Sequence, residues 1–123
     1  MVEFSVESWQ TLQTSLVDLV GKEPSLEGIL FLIGLRELGA SPHAQFSKEE
    51  KQDLLNVAIC AISSKSGFYH YIGRDADNWP HWKQLNPIPK MTHSEQDIFL
   101  KTHILNYFSE LFVEPTKPYR SQD

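Results

Sequence analysis

The sequence predicts an all-α single domain, a compact bundle of four main helices crossed by one long aromatic-rich connection that contains a short helix. Apolar residues recur at three- and four-residue spacing in four segments, and these segments open on serine caps or close on glycine or proline. No stretch shows the sustained alternation of a half-buried strand. The run FYHYI (68–72) is the one strand candidate, and it lacks an obvious partner.

In the first segment Trp9, Leu12, Leu16, Val17 and Val20 share one face, which predicts an amphipathic helix from about Ser5 to Val20, stopped by Gly21. Pro24 and Ser25 open the second helix, Leu26 to Leu38, with Ser25 as N-cap and Gly39 supplying the left-handed end. Its middle, ILFLIGL, is apolar on almost every face, so this helix belongs at the centre of the bundle. Gly28 and Gly34 each cost about 1 kcal/mol relative to alanine inside an exposed helix. Close approach of a neighbouring backbone is the expected compensation.

Ser47-Lys48-Glu49-Glu50 reads as a capping box for a third helix that runs to about Ser64. Leu54, Leu55, Ala58, Ile59 and Ile62 form its apolar stripe, and Gly67 lies beyond its end. Cys60 sits beside the stripe and reads as a small packed hydrophobe. Ser94-Glu95-Gln96-Asp97 offers a cap for the fourth helix, expected to reach about Val113, where Pro115 closes it. Residues 1–114 thus form the helical domain, and 115–123, PTKPYRSQD, are expected to be a fraying tail.

The connection from Gly67 to Pro89 exceeds the roughly 2 to 8 residues usual between bundled helices. Asp75, Asp77 and Asn78 ahead of Trp79-Pro80 suggest a helix start, predicting a short helix Pro80 to Leu85 that lays Trp79 and Trp82 on the bundle as a lid. The same segment holds the candidate site residues. His70, Asp75, Asp77 and His81 are groups that can bind a divalent metal, although their spacing matches no metal motif. Tyr69, Tyr71, Arg74, Trp79 and Trp82 could wall a small-ligand pocket, with Phe68 beside them and Arg74 or His81 supplying polarity.

Elsewhere the chemistry is bland. His93 and Asp97 lie one turn apart and His103 lies further along, but no serine or cysteine sits in a recognisable nucleophile turn. Ser63, Ser64 and Ser66 read as helix-termination residues. Glu49, Glu50 and Asp53 suit the first turn of a helix dipole, and Arg36 and Glu37 bracket the exposed end of the second helix.

Eleven basic against sixteen acidic residues give a formal charge of −5, which repels phosphate backbones and argues against nucleic acid. No apolar run approaches the roughly 20 residues of a membrane span, and MVEFSVESWQ lacks the basic and apolar regions of a secretory signal. A single cysteine suits a reducing cytoplasm. The leading expectation is therefore a cytoplasmic, non-enzymatic interaction module. Its apolar faces are wider than a small bundle covers, so it should assemble with itself or with another protein. The competing expectation is a small-molecule-binding or metal-dependent enzyme with its site in residues 67–93.

Overall fold

Caps and glycines divide the chain into helices α1 (Val6–Ser15), α2 (Val17–Val20), α3 (Leu26–Leu38) and α4 (Lys48–Ser64), a hairpin of β1 (Tyr69–Arg74) and β2 (Pro80–Gln84), and helix α5 (His93–Phe112). The structure, a computed structural model, describes residues 4–41 and 43–112. The expected end of the last helix at Val113 and the expected tail 115–123 lie outside the described residues.

Helix α3 forms as its signals dictate. The Ser25 hydroxyl accepts the Gly28 N–H at 3.1 Å, and Gly39 adopts a left-handed φ of 86° that returns its N–H to the last carbonyls. Ile29, Leu30, Ile33 and Leu35 are buried. The main partner of α3 is α4. A Cβ on Gly34 would collide with the carbonyl oxygen of Leu54, so the two backbones touch where only glycine fits. The close backbone approach expected at Gly28 is not found. A Cβ added there would meet only Pro24 and Ser25 of its own cap, at an ordinary 3.4 Å.

The capping box of α4 is present, with the Glu50 N–H donating to Ser47 Oγ and the Ser47 N–H to Glu50 Oε1. Leu54, Ala58, Ala61 and Ile62 are buried between the helices. Helix α5 begins earlier than Ser94 suggests. Thr92 and Glu95 form the reciprocal pair at its start, at 3.1 and 2.9 Å, and Ile104, Leu105 and Tyr107 close the core.

The first segment is not one helix. Ser15 Oγ donates to the Leu12 carbonyl at 2.7 Å and Leu16 closes the turn, so α2 is a separate short piece. Trp9, Leu12 and Leu16 still enter the core, and Lys101 of α5 lies 5.2 Å from the Trp9 ring centroid while pairing with Asp97 at 3.0 Å.

The larger correction concerns fold class. The molecule is not all-α and is not a four-helix bundle: the expected short helix over 80–85 is strand β2, antiparallel to β1. The missing partner of FYHYI is the segment PHWKQ. Asp75 and Asn78, which resembled helix-start residues, instead make the hairpin turn. The Asn78 N–H donates to Asp75 O at 2.9 Å, Asn78 takes a positive φ of 69°, and Asp75 N donates to Trp79 O at 2.9 Å. Pro80 is tolerated because the first residue of an edge strand need not donate. A bulge between Tyr71 and Gly73, with Gly73 at a φ of 115°, shifts the register. Tyr71 and Trp82 then oppose each other, their rings edge to face at 5.5 Å.

Candidate functional site

The hairpin fastens to the helices by one polar anchor and one aromatic one. Arg74 Nη2 donates to the Glu37 carbonyl at 2.6 Å, and its Nη1 donates to the Leu38 and Asn78 carbonyls at 3.2 and 2.7 Å. A guanidinium thus satisfies the orphan carbonyls at the end of α3, where the helix dipole is negative. Trp82 is half-buried and packs against the core cluster. Together with Pro80 it divides two clefts.

The first cleft, about 420 Å³, includes Tyr71, Arg74, Trp82, Arg36, Lys65 and Tyr107 in its walls. At its base the buried Tyr107 hydroxyl donates to Glu37 Oε2 at 2.5 Å and accepts from Arg36 Nη1 at 3.0 Å. Burial raises the Tyr107 pKa and the Glu37 bond raises it further, so the phenol stays a neutral donor. Lys65 is paired with Glu110 at 2.9 Å. The cations of this cleft already carry partners, which leaves shape and aromatic surface as what it offers a ligand.

The second cleft, about 510 Å³, is walled by Trp79, Trp82, Asp75, His81, Asp53 and Cys60 among others. Asp75 Oδ1 accepts the N–H groups of Asp77 and Trp79 at 2.9 and 3.0 Å, and its Oδ2 meets His81 Nε2 at 2.8 Å. The His81 bond and then the Trp79 N–H hold the Asp75 pKa below the usual carboxylate range. An ionised carboxylate only accepts, so Nε2 of His81 carries the proton. Cys60 lines the same cleft, but burial pushes its thiol pKa up and keeps the nucleophilic form scarce.

Of the predicted ligand residues, Tyr71, Arg74 and Trp82 meet in the first cleft, and Trp79 joins Trp82 in the second; Tyr69 lines neither. Of the predicted metal residues, Asp75 and His81 are in contact, Asp77 contributes its backbone N–H to the turn, and His70 stands opposite Lys83 across the strands. Among the described residues no group of three or more His, Cys, Asp or Glu is placed to hold a metal ion. Asp97 pairs with Lys101.

Two constellations escape sequence reasoning. Arg36, Glu37 and Tyr107 meet across about seventy residues of chain, and Ser66 meets His103 across 37. No local spacing signals either. A third feature is an apolar groove of about 260 Å³ lined by Leu16, Leu19, Leu32, Leu35, Ala40 and Phe108 with few polar atoms. Leu19 at its edge is 60% exposed and the neighbouring Val20 is 39% exposed. Among the described residues no helix is long and apolar enough to cross a membrane. The chain matches no protein-family model, no curated protein and no solved structure at a significant level.

Proposed function

We propose that this protein is a cytoplasmic interaction module that assembles with a second copy of itself through the apolar groove beside α2. The exposure of Leu19 at the edge of that groove carries the reading. Knob and hole lie on one patch, which is the arrangement a two-fold interface requires, because each copy can place its Leu19 in the other's groove. The break at Leu16 leaves α2 too short to cover the hole it helps to form. Exposed Asp18 and Lys22 flank the patch in sequence and supply a polar rim.

Burying one leucine stabilises by about 1.5 to 3 kcal/mol, so two copies of Leu19 contribute roughly 3 to 6. Val20 adds to this, and association itself costs at least about 4 kcal/mol. The net is at most a few kcal/mol, which is a weak dimer with a dissociation constant of about 1 mM. Light scattering of the full chain, followed up to about 1 mM, should show a mass rising toward that of a dimer, and Leu19→Asp should stay monomeric with unchanged circular dichroism. A monomeric full chain overturns the proposal. So does a monomer that dimerises only after removal of residues 113–123, which would assign the groove to the chain's own end.

The second cleft beside Trp82 favours a second reading, a small-molecule or metal site in residues 67–93 built on Asp75 and His81. Stoichiometric zinc, iron or manganese lost in His81→Ala would favour its metal form. Metal-free protein of unchanged stability in chelator would dispose of it.

A further inference from the structure

We propose that Ser66 is a nucleophile activated by His103 that accepts an acyl group from activated esters. The protonation pattern follows from geometry. His103 Nδ1 lies 2.7 Å from the carbonyl oxygen of Phe99, one turn earlier on α5. A carbonyl oxygen can only accept, so Nδ1 carries the proton and the neutral ring presents its lone pair on Nε2. Ser66 Oγ is 2.8 Å from that Nε2. To the neutral ring the hydroxyl donates, which is the relation of a serine nucleophile to its general base, with the Phe99 carbonyl as the orienting group. The ring is also held in place by Phe99, whose centroid is 4.1 Å away at 33°, and Phe99 in turn meets Phe68 edge to face at 5.9 Å.

The other hydroxyls nearby lack this relation. Ser64 Oγ donates to the Ala61 carbonyl at 2.7 Å, an oxygen that cannot take a proton. Ser66 is exposed in the turn after α4, where an electrophile can reach it. In the reaction Oγ attacks the ester carbonyl and its proton passes to His103 Nε2. The bond to the leaving alcohol then breaks, and that alcohol takes the proton back. Water, deprotonated by the same Nε2, then attacks the acyl carbonyl, the bond to Ser66 Oγ breaks, and Oγ takes the proton back from Nε2 as the acid leaves.

The turn also sets the limit of the chemistry. The N–H groups of Ser66, Gly67 and Phe68 are committed to the carbonyls of Ser63 and Ser64 at 3.1 to 3.3 Å, so they do not hold an oxyanion. Esters with good leaving groups are the substrate class, and the acceleration is that of general-base catalysis alone, roughly 10² to 10⁴.

The test treats the full chain with 4-nitrophenyl acetate and maps acetylation by mass spectrometry over time. Ser66 should be acetylated at least about tenfold faster than Ser64 in the same molecule. His103→Gln, checked by circular dichroism, should reduce Ser66 to the Ser64 rate. Equal rates at the two serines, no adduct on Ser66, or an unchanged rate in a folded His103→Gln protein would each overturn the proposal. If the variant fails to fold, the comparison that decides the matter is with Ser94, which is exposed like Ser66: equal rates at Ser66 and Ser94 in the wild-type chain overturn the proposal.

Discussion

The α3–α4 seam is closed by carbon and by two backbones in contact, whereas the hairpin is tied to the same helices by a guanidinium on carbonyl oxygens and by one half-buried tryptophan. In the seam Ile33, Leu54 and Ile62 are almost wholly removed from water and Gly34 lies against the Leu54 carbonyl. In the hairpin Tyr71 and Ile72 remain 47% and 62% exposed. The contrast teaches where cooperativity lies. A two-stranded ribbon is marginal alone in water, so this one takes its order from the helices, while the seam owes little to the ribbon.

The sharpest way to break this comparison is Gly34→Ala. A methyl group there must displace the Leu54 backbone, and overpacking of that kind should lower unfolding free energy in urea by about 3 kcal/mol. Gly28→Ala is its control. With only ordinary contacts for the new Cβ, it should be neutral or gain up to about 1 kcal/mol from helix propensity. Equal losses at both positions would refute the backbone-contact account.

Arg74→Ala probes the other side. Loss of its charge-assisted bonds to the α3 end should cost about 1 to 2 kcal/mol, discounted for exposure, and the loss should be local. Amide exchange should accelerate over residues 69–84 while Ile33 and Ile62 keep their protection. Uniform loss of protection would mean that hairpin and helices unfold as one unit.

Ser63 sharpens the picture within the core. Its hydroxyl is fully buried without a hydrogen-bond partner among the described residues, and Ser63→Ala removes that unsatisfied group. A gain of about 1 kcal/mol in thermal or chemical unfolding is expected. A loss would show that the hydroxyl fills space that matters.

The smallest effect is an acid response of the turn. The folded Asp75 pKa is lowered, so its contribution is complete above the ordinary carboxylate range and fades as pH falls through the folded value. Trp79 fluorescence should report loosening of the turn on acidification, with the helices intact by circular dichroism. In Asp75→Asn that fluorescence step should vanish.

Local signals were readable wherever one short stretch contained all the chemistry it needed. Ser25 with Gly39 bounded α3, and Ser47 with Glu50 opened α4, because a cap acts on amides three residues away. The reading failed where a local signal served two structures. Asp75, Asn78 and Pro80 suit a helix start and a hairpin turn alike, and the choice fell to the pairing of Tyr71 with Trp82, eleven residues apart. Thr92 rather than Ser94 caps α5 for a similar reason, since both precede the same apolar run. Candidate site residues followed the same division. Asp75 and His81 lie close in sequence and meet, whereas Ser66 with His103 and Glu37 with Tyr107 gave no warning.

What the sequence determined by itself was the central apolar helix and the caps on either side of it; of the two glycines inside it, only the structure shows that Gly34 and not Gly28 meets another backbone. Helix and caps rest on bonds and periodicities confined to a few residues, where the free-energy difference between alternatives is set locally. Only the tertiary structure decided that the aromatic connection is a hairpin, that Arg74 donates to the last carbonyls of α3, and that His103 turns Nε2 to Ser66. Each of those depends on which distant carbonyl or ring becomes the neighbour, and that choice is made by packing the whole core at once.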